Sequence, residues 1–440
     1  MLQTPLRGYQ TRARDAALAV IRHGGGFALF PEPRCGKTLI ALSIVAEIRP
    51  QALLIVCPKN AIRVWNEEIK KHLKPGTLGV IAQVINYEQL TTHRKEWYKR
   101  ARAYSRLMVL SDESHYIKKR GTARSGVVRH IGGFAKYRLA LTGTPIAQGI
   151  QDAWAQFDFL DPSIFGTWDE FSNKYLIWGG FKNKDIIKYR DEEDFNRKFR
   201  AYSYRITLRE ARKEFGTSLR LRYTKKTVIL NRATRNIYDA LQRELETVVN
   251  NRKIKVKNVL ACITKLQQIT GGFMVTPVEE KGLPDYSPTI LIGQEKLEKL
   301  HEAVRSVQAR TKFIVVCRFI HEIDAVHKFL ARLGYGIKVV RGGAPYDGNF
   351  DCDAIVMQIQ SGIAVDMSKA DTVIFYSTDY SYLNFEQSRF RILSYNKTVT
   401  GHYIFLLASG TIDEVIYEAI TKKKNLARLV IDTYRTREGR

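Results

Sequence analysis

The chain has 440 residues, 71 of them lysine or arginine and 44 aspartate or glutamate, which leaves a net charge of +27. Hydrophobic residues make up 45%, enough to build cores and to exclude wholesale disorder, and the length fits about two to three ordinary domains. So large a basic excess points to a polyanionic partner, most simply nucleic acid, against the plainer reading of a basic solubilising surface.

From the N-terminus, "MLQTPLRGYQ" contains no apolar signal core. No stretch of the chain approaches the roughly 18 uninterrupted apolar residues of a membrane span. Five cysteines, at 35, 57, 262, 317 and 352, are scattered without a Cys-x-x-Cys pair. That argues against structural zinc and a disulfide framework and suits a reducing cytoplasm. The expectation is a soluble, cytoplasmic protein with no membrane partner.

Four short apolar runs follow, each ending in polar or turn residues: "FALF" (27–30), "ALLIVCP" (52–58), "RLMVLSDESH" (106–115) and "RLALTGTP" (138–145). They read as buried strands, with helical spacing in "GKTLIALSIVAEI" and "IRVWNEEIKKHL" between them. This alternation predicts a parallel sheet with helices on both faces, binding ligands beyond the carboxyl ends of its strands. Residues 295–420 repeat the rhythm in "KFIVVC", "GIKVV", "DAIVMQ", "TVIFYS" and "HYIFLL". The basic, aromatic-rich stretch between the halves reads as helical insertions. The fold class expected is α/β, with residues 1–205 as a first lobe, 206–290 as helical protrusion and linker, and 291–440 as a second lobe.

Three segments of the first half carry chemistry. "FPEPRCGKT" (30–38) ends as a phosphate loop does, after a strand and opening a helix, although Pro31 stands where the full pattern has glycine. There Gly36 and the helix N-terminus would face phosphates, Lys37 would neutralise the β- and γ-phosphates, and Thr38 would ligate magnesium. In "VLSDESH", Asp112 and Glu113 follow a strand, so one acid can hold the metal while its neighbour activates water. "LALTGTP" runs a strand into a hydroxyl-rich turn, whose Thr142 and Thr144 could relay the γ-phosphate state to nearby loops.

Taken in order, "LRGYQ", "GKT", "DESH" and "LTGTP" resemble the superfamily 2 helicases, and within them the Snf2-type double-stranded DNA translocases. "CPKNAIRVWNEEIKK" (57–71), "INYEQL" (85–90), "PIAQGIQDAWAQFDFLDPSIFGTWDEF" (145–171) and "YRITLREARKEF" (204–215) are similar to further segments of that group. In the second half, "KFIVVCRFIHEIDAVHKFL", "MQIQSGIAVDMSKADTVIFYSTDYS" and "NFEQSRFRILSYN" resemble motifs IV, V and VI. The resemblance implies two RecA-like lobes with ATP between them, Mg2+ as cofactor, and movement along duplex or branched DNA. It marks Arg7 and Gln10 for adenine recognition, and Gln387 and Arg391 as the matching positions of motif VI. The chain departs from the group at Pro33 and Arg34, at Ser361, Ala364 and Asp366 of motif V, and at Ser394, where motif VI usually ends in arginine. The resemblance then implies that Arg391 or Arg389 serves as the arginine finger, or that hydrolysis is slow.

In length and basic charge the chain resembles the compact helicases of bacteriophages and bacteria, some of which regress forks or migrate Holliday junctions in replication, recombination or repair. A sequence-independent DNA interface on a monomer is expected. Lys59, Lys225, Lys226, Arg252, Lys253 and Lys255 are candidate backbone contacts, and Phe165, Trp168 or Tyr175 a candidate wedge. An RNA helicase, or a DNA-binding clamp with a degenerate ATP site, are the competing readings.

Overall fold

The computed structural model describes residues 2–74, 81–180, 185–214, 216, 220–244, 246–249, 252–255, 259–275, 289–307, 311–342, 350–362, 367–393 and 400–422. The chain divides into two compact units, Met1–Ser218 and Leu219–Arg440. Among the described residues no helix is long and apolar enough to cross a membrane.

The first unit is built on six strands: β1 (Gly25–Leu29), β2 (Ala52–Cys57), β3 (Ile81–Asn86), β4 (Leu107–Asp112), β5 (Tyr137–Leu141) and the short β6 (Ser203–Tyr204). They lie in the order β3-β2-β4-β5-β1-β6, and every pairing is parallel. Strand residues alternate between faces, and β2 shows the consequence. Ala52, Leu54 and Val56 enter one core, while Leu53, Ile55 and Cys57 enter the other. Both faces are covered, as a parallel sheet requires. Helices α1 (Gly8–Ile21), α2 (Lys37–Ile48) and α3 (Ile62–His72) cover the second of these faces, with Ala13, Ile40, Ile44 and Trp65 in its core.

The second unit repeats the design with β7 (Leu221–Val228), β8 (Lys312–Cys317), β9 (Ile337–Val340), β10 (Ala354–Gln358), β11 (Ala370–Phe375) and β12 (Gly401–Ala408). Their order is β9-β10-β8-β11-β12-β7, again with parallel pairs throughout. Two parallel six-stranded sheets flanked by helices are the α/β, two-lobed RecA-like architecture expected from the sequence.

The expected boundaries at 205/206 and 290/291 differ from the observed division. Residues 206–214 stay with the first unit because Glu32 N–H donates to Ile206 O at 2.9 Å and Leu208 N–H to Glu32 Oε2 at 3.0 Å. Glu214 also accepts from Tyr9 N at 3.1 Å. Beyond them, β7 pairs along its whole length with β12, so part of the expected helical insertion is an edge of the second sheet. Short hairpins also form at Glu246–Val249 with Arg252–Lys255, and at Phe273–Val275 with Thr289–Leu291.

The candidate wedge aromatics belong to a core. Phe165 and Tyr175 are buried, Phe165 stacks on Phe195 with ring centroids 5.2 Å apart, and the half-buried Trp168 lies edge-on to Trp154 at 5.5 Å.

Candidate nucleotide site

Strands β4, β5 and β1 are neighbours and end in register, with Asp112 beside Leu141 and Leu141 beside Leu29. The three loops leaving them therefore emerge at one place, the carboxyl edge of the sheet. These loops carry the phosphate-loop sequence, the acid pair and the Thr-Gly-Thr turn.

The phosphate loop runs from β1 into α2, whose N-terminus has Gly36 as cap, with no side-chain cap hydrogen bond among the described residues. Unpartnered N–H groups at such a terminus bind anions. Positive φ falls at Arg34 (72°) and Gly36 (73°), not at Pro31, so this loop does not require glycine at 31. At Gly36 a side chain is barred twice, since a Cβ there would also lie 2.4 Å from Gln10 Nε2. Lys37 Nζ donates to Pro31 O at 3.2 Å, folding back across the loop, and Thr38 occupies the first turn of α2.

Helix α1 props this loop from below. Tyr9 OH and Gln10 Nε2 both donate to Cys35 O, at 3.1 and 3.4 Å, and Gln10 Oε1 accepts from Arg7 N at 3.0 Å. Gln10 is buried, so the two residues marked for adenine recognition stand beside the loop with the Gln10 amide bonded to backbone at both ends.

Asp112 closes β4. Trp65 Nε1 donates to its Oδ2 at 2.7 Å and Glu113 N to its Oδ1 at 2.9 Å, while Tyr87 OH donates to its carbonyl at 2.6 Å. Burial and then the Glu113 carboxylate push the Asp112 carboxyl up to about 6, partly offset by the Trp65 N–H and the Lys37 ammonium. Two crowded carboxyls within the field of the Lys37 ammonium are oxygen donors of the kind a hard cation takes. The residues fit magnesium, and Thr38 and Asp112 would hold it.

Glu113 takes a left-handed conformation, φ 50°. Its Oε2 accepts from Thr142 Oγ1 at 3.3 Å and lies 3.2 Å from His115 Nδ1, which is itself 3.0 Å from Thr142 Oγ1. The acid and the Thr-Gly-Thr turn are thus one hydrogen-bonded unit. Gln156 extends it: its Oε1 accepts from Ser114 Oγ at 2.7 Å and its Nε2 donates to Pro145 O at 2.8 Å. Thr144 N donates to Thr142 Oγ1 at 3.2 Å. Gly143 sits so close to the phosphate loop that a Cβ would come 2.6 Å from Pro33 Cδ. Trp65, Tyr87, His115 and Gln156 were missed as functional residues by sequence reasoning. A tryptophan on the apolar face of a charged helix, and a histidine beside the acid pair, were the available signals.

In the second unit, Gln387 is buried in the helix Tyr382–Arg389. The Arg389 guanidinium donates to Glu386 Oε2 at 2.6 Å and to Tyr223 OH at 2.7 Å. Burial works against its charge, but Glu386 and Tyr223 more than offset that and raise its pKa. Arg391 lies in the following turn, Phe390–Ile392, and Ser361 in the turn Ile359–Gly362. Ala364, Asp366 and Ser394 fall outside the described residues. Of the candidate DNA contacts, Lys59 is exposed just past the carboxyl end of β2. Lys225 is exposed on β7 with its Nζ 4.5 Å from the Tyr417 ring centroid, and Lys226 is half-buried there. Arg252, Lys253 and Lys255 lie on a strand of the hairpin ending at Lys255.

Residues 9–271 match the family described as SNF2-related domain. Over 97% of the chain there is 21% identity to the mouse SWI/SNF-related matrix-associated actin-dependent regulator of chromatin subfamily A member 1. Over 93% there is 23% identity to the human DNA annealing helicase and endonuclease ZRANB3, and over 94%, 22% identity to the chicken DNA repair and recombination protein RAD54B. The chain spans only 43%, 39% and 52% of these relatives' lengths. Among solved structures, the Sulfolobus solfataricus SWI2/SNF2 ATPase core in complex with dsDNA shows 19% identity and a TM-score of 0.44, covering 96% of this chain and 92% of that one.

Proposed function

The chain belongs to the SNF2-related domain family, and from that premise we propose that it hydrolyses ATP to drive its own movement along DNA. The observation that carries this is the convergence of Lys37, the Asp112–Glu113 pair and Thr142 on loops from three adjacent strands that end in register. Magnesium, when bound by Thr38 and Asp112, supplies positive charge to the β- and γ-phosphates. The N–H groups opening α2 and the Lys37 ammonium hold the same phosphates. Glu113 accepts the proton of the water that attacks the γ-phosphorus, as the bond from that phosphorus to the β–γ bridging oxygen breaks and leaves ADP. Thr142 and His115 fix the orientation of the Glu113 carboxylate. They also tie it to the turn 142–145, a route by which the phosphate state reaches neighbouring loops. Arg7 and Gln10 border the adenine. Because Arg389 is held by Glu386 and Tyr223, Arg391 takes the arginine-finger role, with Gln387 of the same motif.

The DNA interface is sequence-independent and reads phosphates, in keeping with a net charge of +27. A branch offers two duplex arms to one basic surface. Forks and four-way junctions are therefore the preferred substrates, and branch migration or fork remodelling by a monomer is the finer reading. The five free cysteines, four of them buried, suit the reducing cytoplasm of a bacterium or of a phage-infected one.

The test is steady-state ATP turnover with single-stranded, duplex, forked and four-way DNA, and with RNA of matched length. Stimulation is expected to be strongest with the branched DNAs. Lys37→Ala should bind DNA normally while turning ATP over at least about 100-fold more slowly. Stimulation by RNA equal to that by DNA would contradict the DNA assignment, and full turnover by Lys37→Ala the site assignment.

A further inference from the structure

The two sheets present four edges, and three are guarded in the usual ways. β6 is two residues long, β7 carries Arg222, Lys225 and Lys226, and β9 has four residues including Lys338. The fourth is different. β3, Ile-Ala-Gln-Val-Ile-Asn over residues 81–86, has no charge and no proline. Its six pairs with β2 run without a bulge, and among the described residues it pairs with β2 alone. An uncharged, regular, six-residue edge is a template for another strand.

A groove runs beside this edge on the face that Gln83 and Ile85 share, as two adjoining hollows of about 280 and 450 Å3 that have Gln83, Trp97 and Arg100 in common. Leu54 and Ala101 form the apolar floor of the smaller hollow, and Trp97 and Tyr104 its aromatic wall. Trp97 belongs to the helix Arg94–Arg102, whose Arg94, Lys95, Lys99, Arg100 and Arg102 are all exposed against a single acid, Glu96.

We propose that β3 and this groove dock an extended, acidic segment of a partner protein, added to the sheet as a further strand. Backbone groups along β3 would pair with those of the segment. Alternate side chains of an added strand point to the same face, so every second residue, if apolar or aromatic, enters the groove. Acidic residues between them meet the field of the basic helix. A nucleic acid strand fits less well, because phosphates only accept hydrogen bonds and leave the carbonyls of the edge unpaired. A second copy of this chain would bring two basic helices together.

Fluorescence anisotropy on the full chain tests this, with a short fluorescein-labelled peptide alternating aspartate with phenylalanine and leucine. A peptide of the same composition in blocks, a lysine-for-aspartate version and a labelled oligonucleotide serve as comparisons. The alternating acidic peptide is expected to bind saturably and at least about tenfold tighter than either other peptide. Gln83→Glu, which places a carboxylate on the edge, and Arg100→Glu should each weaken it at least about tenfold. DNA-stimulated ATP turnover should be unchanged in both variants, showing that they fold. Equal binding of the blocked peptide, or binding indifferent to both substitutions, would overturn the proposal. So would loss of oligonucleotide binding in the two variants with the peptide unaffected, or self-association of the wild-type chain that Gln83→Glu abolishes.

Discussion

Glu113 and Asp112 are neighbours in sequence with different surroundings, and the roles proposed for them divide accordingly. Glu113 is held by Thr142 and His115 through one carboxylate oxygen and so is oriented, as a base must be. Glu113→Gln is expected to bind Mg-ATP with near-normal affinity, read by a fluorescent nucleotide, and to hydrolyse it about 100-fold or more slowly. Collapse of affinity with normal turnover per bound ATP would make Glu113 a ligand. Asp112 stores a cost instead. Its carboxyl is lifted to about 6, first by burial and then by Glu113. Between roughly pH 4 and pH 6 the folded state therefore holds a proton that the unfolded state has released, and stability falls as pH rises through that window. In EDTA without nucleotide, Asp112→Asn should be more stable than wild type at pH 7, by on the order of 1 kcal/mol, and the gap should close by about pH 4. A gap that is unchanged or larger at pH 4 would contradict the assignment. An acid that weakens the empty protein suits a residue kept for a cation.

At the scale of elements, the site depends on what ties the loops to one another. Gln156 is fully buried and joins Ser114, after the acid pair, to Pro145, after the Thr-Gly-Thr turn. Gln156→Leu keeps the volume and leaves that hydroxyl and carbonyl without these bonds, at an expected cost of about 2–4 kcal/mol in chemical denaturation, with turnover reduced in the protein that remains folded. A variant as stable and active as wild type would show that the two loops are held some other way.

The sequence made the central strands legible because they are buried on both faces and read as continuous apolar runs, as in "KFIVVC" at 312–317. It was least informative at the edges. β7, Leu-Arg-Tyr-Thr-Lys-Lys-Thr-Val, buries only its last residue, so its composition looks like surface helix or loop although eight pairs fix it to β12. The site was legible as motifs but not as geometry. Nothing in the local pattern of "IRVWNEEIKK" reveals that the Trp65 N–H ends 2.7 Å from Asp112 Oδ2, because that contact is made by packing α3 across the sheet. On sequence alone Phe165, Trp168 and Tyr175 fit either a wedge or a core, and it is their ring partners Phe157, Phe171, Phe195 and Trp154 that make them core.

Across the whole molecule, a charge of +27 and the proposed phosphate-reading interface imply binding that weakens steeply with salt and ignores base sequence. The central claim is that the site at the carboxyl edge of the first sheet powers movement along DNA. Displacement of a third strand from a duplex measures that movement without requiring the duplex to be unwound. Wild-type protein with Mg-ATP is expected to strip the third strand, and neither wild type without ATP nor Lys37→Ala with it should do so. Stripping by Lys37→Ala at the wild-type rate, or none by a wild-type protein that is hydrolysing ATP on the same DNA, would contradict it.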